Sequence, residues 1–192
     1  MLYQQLSRIR GQLALKELSV ADGLLLSLRA LRGRIADEKL TWLNRELLGY
    51  RPEDLQNLGE KEPKKAGISR IVMLWAPARK PELEAPTYRF LNGTWGHIDE
   101  SGRLTTVHDG QLTEKSIFCN IGLQQLEAQL AELGESDHPE GSLFSMSFDP
   151  RSRAEFYCYS KELVRIQETV RSKLCQFIDD SMAELNLAPQ SD

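Results

Sequence analysis

Three histidines, three cysteines and a scatter of arginines are the side chains whose types and spacing could do chemistry. His97 and His108 flank Glu100-Ser101-Gly102, with Asp99 and Asp109 close by, a spacing that invites a metal ion. A hairpin that pairs Ile98 with Leu104 sets His97 opposite Thr105. Side chains alternate along a strand, so in that register His108 points to the other face and the two rings cannot share an ion. No metal site is expected, although a one-residue slip would reopen the question. His138, in an Asp-His-Pro turn, reads as a solvated loop residue. Cys119, Cys158 and Cys175 are odd in number and widely spaced, with no CxxC pair, which argues against a disulfide framework or a zinc knuckle. Cys158 in an apolar strand and Cys175 beside Leu174 and Phe177 read as buried structural thiols. The sequence holds no G-x-S-x-G elbow, and the glycines at 93, 96 and 102 do not make G-x-G-x-x-G. No cofactor is expected, and the balance leans away from an enzyme.

Arg8, Arg10, Arg29, Arg32 and Arg34 fall within the first two predicted helices. Side by side they would make a patch for phosphate or for an acidic protein. The competing reading is a solvated face neutralised by Glu17, Asp22 and Glu38. The stretch Trp42-Leu43-Asn44-Arg45-Glu46-Leu47-Leu48-Gly49-Tyr50 stands out most. On a continuous helix Trp42, Glu46 and Tyr50 align on one flank. A carboxylate between two aromatic rings is either the charged centre of a binding site or a polar clamp, with Arg29 as a candidate partner. In the clamp reading, Trp42 and Tyr50 pin the helical hairpin onto a sheet.

Elements must position these residues. Leu2, Leu6, Ile9 and Leu13 predict a helix over 2–18. Ser19 with Asp22 is a capping-box-like start for a second helix that runs to about Ile35, with Leu24, Leu28 and Leu31 as its stripe. Asp37 is the expected N-cap of a third helix, Glu38–Leu48, and Gly49 its stop. Residues 51–67 are polar and punctuated. Strands are predicted at Ile68–Ala76, Thr87–Leu91, Thr94–Asp99 and Arg103–His108, then a helix over Ile121–Leu133. Within Thr87–Leu91, Tyr88 and Phe90 alternate against a polar Arg89. Leu143–Phe148 sets Phe144, Met146 and Phe148 against Ser145 and Ser147, with Ala154–Tyr159 as its hairpin partner. A long helix from an N-cap at Ser160 to about Leu187 closes the chain. The expected fold is α+β: an N-terminal helical hairpin, an antiparallel sheet and a long C-terminal helix. One integrated domain over 1–192 is favoured, with 1–50 helical, 68–160 mostly strands with one helix, and 160–187 closing.

The 192 residues carry 41% hydrophobic and 27% charged side chains, values that exclude general disorder. Leucine fills 30 positions, and most fall on helix stripes, so they are core material. No apolar run approaches the roughly 20 residues of a membrane span. The N-terminus lacks the basic and apolar regions of a signal peptide, so the cytoplasm is the expected address. Net charge is -4, unsuited to a general nucleic-acid coat. It divides into +3 over residues 1–50 and -7 over the remainder.

With Leu24-Leu25-Leu26-Ser27-Leu28-Arg29, then Ala36-Asp37-Glu38, then Trp42 with Glu46-Leu47-x-Gly49-Tyr50, the chain resembles the AbiTii family of bacterial abortive-infection proteins. A second similarity lies in Val170-Arg171-Ser172-Lys173-Leu174-Cys175-Gln176-Phe177. The sequence departs after Tyr50, where Arg51-Pro52-Glu53-Asp54-Leu55 replaces the family's acidic and aromatic turn. The resemblance implies a part in defence against bacteriophage, as a toxic effector that halts the infected cell. It gives Trp42, Glu46, Gly49 and Tyr50 as motif residues and supplies no catalytic residue. Arg171 joins Arg29, Arg32 and Arg34 as a candidate anion or partner contact. The implied partner is a protein of the same defence locus or a second copy of the chain. The alternative is a non-enzymatic helical module that oligomerises or regulates a partner.

Overall fold

The computed structural model describes residues 1–51, 54, 86–100, 103–107, 115–133, 142–150 and 152–186. The expected strand at Ile68–Ala76, the loop 135–141, His108 and His138 lie outside them. Among the described residues the order is α1 (Leu2–Ala14), α2 (Val20–Leu31), α3 (Asp37–Leu48), β1 (Phe90–Ile98), β2 (Leu104–Thr106), β3 (Ser116–Phe118), α4 (Leu123–Leu133), β4 (Leu143–Asp149), β5 (Ala154–Tyr159) and α5 (Ser160–Glu184). The fold is α+β, with N-terminal helices, an antiparallel sheet and a long C-terminal helix. No helix among the described residues is long and apolar enough to cross a membrane.

Two compact units emerge. One holds residues 1–49, 121–131 and the chain from Arg165 onward; the other holds 50–120 and 132–164. The helical unit is built on the predicted stripes. Leu6, Ile9, Leu13, Leu24, Leu31, Leu43, Leu126, Ile166, Val170 and Leu174 are all buried. At roughly 25 cal/mol per Å² of apolar surface, such residues each contribute about 1.5–3 kcal/mol.

Helix ends differ from the periodicity reading, and polar groups set them. α1 stops at Ala14, because Lys16 takes a left-handed φ of 59° and turns the chain. The Arg171 guanidinium, on α5, donates to the Leu13 and Leu18 carbonyls, each at 3.2 Å. α2 starts where predicted: the Ser19 hydroxyl accepts from the Asp22 N–H at 3.0 Å. A second cap comes from far away in sequence. The Glu127 carboxylate, on α4, accepts from the Val20 N–H at 2.8 Å and the Ala21 N–H at 3.2 Å, and from Gln167 Nε2 at 2.9 Å. α3 is capped by Ala36 and not by Asp37, which is its first helical residue.

In the second unit, β1 is one nine-residue strand where two short ones were expected, and Thr87–Arg89 forms a 3₁₀ turn before it. β5 pairs with one side of β1, at Gly93↔Cys158 through Gly96↔Glu155. β2 and β3 pair with β1 at its two ends, His97↔Thr105 and Leu91↔Ile117. Gly96 bonds to both β2 and β5, so these flank β1 on opposite sides. β4 pairs with β5 at the far edge. The sheet is antiparallel throughout, in the order β2-β1-β5-β4 with β3 also on β1.

Glu127 satisfies the open amides at the start of α2, in the sense the helix dipole favours, and Arg171 donates to two carbonyls of the turn before it. Glu127→Ala is expected to lower stability by about 2 kcal/mol, within the range for lost caps and charge-assisted bonds. Glu127→Gln, which keeps one acceptor, should cost less. Urea unfolding of the three proteins checks this, and equal midpoints would remove Glu127 from the cap.

Candidate functional site

The motif Trp42–Tyr50 is positioned by α3 and its stop. Gly49 sits at φ 96°, a conformation that a Cβ would strain, and here the chain leaves the helix. Trp42, Glu46 and Tyr50 are therefore not on one helical flank, contrary to the expectation from spacing. Trp42 and Glu46 belong to the helical unit and Tyr50 to the sheet-bearing unit.

Each motif residue has its own surroundings. Trp42 is half-buried and meets Phe177 of α5 at a ring-centroid distance of 5.8 Å. It packs on a helix, where the clamp reading placed it on the sheet. Glu46 is fully buried. A carboxylate out of water is a group the surrounding chain must satisfy. Arg29 was one candidate partner for it, and Arg29 is exposed, with no ion pair among the described residues. Gly49 forms an antiparallel bridge with Ile121. Gly122 makes that approach possible: a Cβ there would lie 2.3 Å from the Leu47 carbonyl oxygen.

Tyr50 is buried and meets Phe118 edge to face at 5.3 Å. The Arg89 guanidinium lies over its ring, 5.4 Å from the centroid. The Tyr50 N–H donates to the Asn120 carbonyl at 2.8 Å. Arg89 itself has no solvent exposure, although it stands in the sequence as the polar residue that alternates with Tyr88 and Phe90. The 3₁₀ turn at Thr87–Arg89 breaks that period-two pattern.

The arginines separate into two kinds. Arg171 is committed to backbone carbonyls and lies 3.6 Å from Glu168. Arg29, Arg32 and Arg34 are all exposed at the C-terminal end of α2, with no carboxylate partner among the described residues. Asp22 serves Ser19, and Arg10 pairs with Asp179 at 3.3 Å. The hairpin register matches the expected one, with His97 opposite Thr105 and Ile98 opposite Leu104. Among the described residues no group of three His, Cys, Asp or Glu could hold a metal.

The cysteines are of the structural type. Cys119 and Cys158 are buried, and burial, helped by Cys119 and Glu162, pushes the Cys158 thiol up to about 12. Cys175 is half-buried, and burial again raises its thiol. Neither is a ready nucleophile at neutral pH.

Sequence reading missed one polar cluster on the sheet. Tyr157 Oη donates to Glu155 Oε2 at 2.9 Å, and Ser145 also hydrogen-bonds Glu155. These bonds, Ser145 first, lower the Glu155 carboxyl below its ordinary 4.5, with His97 adding a small pull. Desolvation and the neighbouring carboxylate raise the Tyr157 phenol above 10.0. Alternation of Glu155 and Tyr157 along β5 was the available signal; their cross-strand partners were not legible without the register.

The class defined is an α+β protein with a helical unit and an antiparallel sheet. Comparison with protein-family models, with curated proteins and with solved structures finds no match for this chain.

Two predictions follow from this geometry. A double-mutant cycle on Trp42→Ala and Phe177→Ala should show about 1 kcal/mol of coupling in urea unfolding, the usual worth of an aromatic pair beyond its area; additive losses would deny the contact. The second concerns pH. Glu155 has a lowered folded pKa, so its contribution is present above the ordinary 4.5 and fades as pH falls through the folded value. Tyr157 has a raised pKa, so its contribution holds at neutral pH and fades as pH rises past 10.0. Glu155→Gln should flatten the acid limb of stability against pH, and Tyr157→Phe the alkaline limb. Parallel limbs in wild type and variants would contradict this.

Proposed function

We propose that this chain is a cytoplasmic component of a bacterial abortive-infection response to bacteriophage, an effector that works by contact with a partner molecule. The observation that carries the reading is the meeting of Trp42 and Phe177. The resemblance to AbiTii proteins rests on two stretches far apart in sequence, one holding Trp42 and the other Phe177. That these two rings touch within one helical unit supports treating both stretches as one motif.

The placement of the motif favours an architectural use of its residues. Glu46 is enclosed, Gly49 turns the chain and Tyr50 is buried. What the helical unit offers to a partner is the exposed Arg29, Arg32 and Arg34. Arginines without internal carboxylates suit an acidic protein surface or a phosphate. This same observation favours the second reading, a non-enzymatic regulator that binds a protein of its locus.

Expression in a bacterial host, alone and with the neighbouring genes, tests the proposal through phage plating efficiency and growth after infection. Protection accompanied by early arrest of infected cells is the expected result. Arg29→Glu with Arg32→Glu should abolish protection while changing stability by less than about 0.5 kcal/mol, the usual range for exposed positions. Unchanged plating and growth in every combination would sink the defence reading. Full protection by the doubly reversed protein would remove the arginines as the contact.

A further inference from the structure

β4 carries an irregularity that the alternation of its sequence conceals. Ser145 pairs with Tyr157, yet Ser147 pairs with Phe156, so one residue on β5 is matched by two on β4. This is a β-bulge at Met146, and its effect is a change of face. Without it Phe144 and Phe148 would share one side. With it, Phe144 stands beside Cys158, while Phe148 stands directly across from Glu155. Phe148 is 54% exposed.

The face it joins has a definite composition. Registers and alternation place Ser145, Tyr157, Glu155, Phe148, Tyr159 and Ile98 on one side of the sheet. Trp95, Phe156, Cys158 and Ala154 occupy the other side and are buried. On the first side Tyr159 is 48% and Ile98 46% exposed. Glu155 is held by two neutral hydroxyls and forms no ion pair among the described residues. The chain's own Lys161 already places its ammonium 5.4 Å from the Tyr159 ring centroid, so an aromatic ring of this face accepts a cation.

We propose that this sheet face is a docking surface for a basic segment of a partner protein, whose Arg or Lys meets the Glu155 carboxylate beside the exposed Phe148 ring. Charge and shape select this occupant. A carboxylate held by hydroxyls, beside the open Phe148 ring, matches a flat guanidinium or an ammonium and repels an acidic chain. The bulge turns a large apolar ring to solvent at the carboxylate, where a strand serving only the core would keep it inside. The proposal stands apart from the defence reading, since its surface and its test do not involve the arginines of α2.

The test is fluorescence anisotropy at low salt with a fluorescein-labelled peptide of alternating arginine and serine, and an aspartate–serine peptide as control. The full chain should bind the basic peptide and not the acidic one. Glu155→Gln should weaken binding roughly tenfold, as for loss of one partner of a close charge pair. Phe148→Ser should weaken it about threefold, in the range of one cation–π contact. Glu17→Gln, which makes the same change of charge at an exposed site of the helical unit, should bind like wild type. Circular dichroism confirms folding; should Glu155→Gln misfold, Phe148→Ser decides. Absence of binding, equal binding of both peptides, or an equal loss in Glu17→Gln overturns the proposal. So does sedimentation showing a dimer that Glu155→Gln dissociates, because the occupant is then a second copy of the chain.

Discussion

The helical unit depends on how the corner between α1 and α2 is satisfied. A helix that ends leaves carbonyls without partners, and a helix that begins leaves N–H groups without partners. Both sets fall within residues 13–21, beside a core of fully buried leucines. Two long side chains resolve this. Arg171 supplies donors to the Leu13 and Leu18 carbonyls, and Glu127 supplies acceptors to the Val20 and Ala21 amides. Lys16 and Glu168 extend the set with a 2.9 Å pair. α4 and α5 are thereby fixed to the corner by directional bonds as well as by non-directional burial. Hydrophobic stripes can slide past one another by a turn, whereas a carboxylate that must reach two particular amides cannot.

The same logic explains the Trp42–Tyr50 stretch. It holds a ring for Phe177, an enclosed carboxylate, a glycine with positive φ and a tyrosine for Phe118 and Arg89. Each group answers a local packing or conformational need. Gly49 and Gly122 are the two points where backbone itself sets the limit. One turns the chain, and the other admits the Leu47 carbonyl where a methyl group would collide.

Much of the architecture is legible in the sequence. The leucine stripes, the Ser19 cap, the Gly49 stop, β5 and the hairpin register with Ile98 against Leu104 are all local patterns, and local patterns are what periodicity reports. The unread features share a different cause. The Glu127 cap and the Arg171 clamp join residues more than 100 positions apart, so no window of sequence contains them. β3 is three residues long, too short to show a period. The alternation of β4 was clear in letters and false in space, because one inserted residue reverses the face of everything after it. The start of the expected strand at Thr87 differed for a related reason, since a turn of 3₁₀ helix stands at Thr87–Arg89. On the candidate site, residue identity was legible and grouping was not.

The pairing of β1 carries a consequence for chain length. Gly96 lies four positions beyond Asn92 on β1, whereas their partners Thr106 and Ser116 lie ten positions apart, an excess of six along one side of the strand. The two ends of β1 are thus held by independent registers, each with its own hydrogen bonds. The number of residues between those registers is not fixed by either.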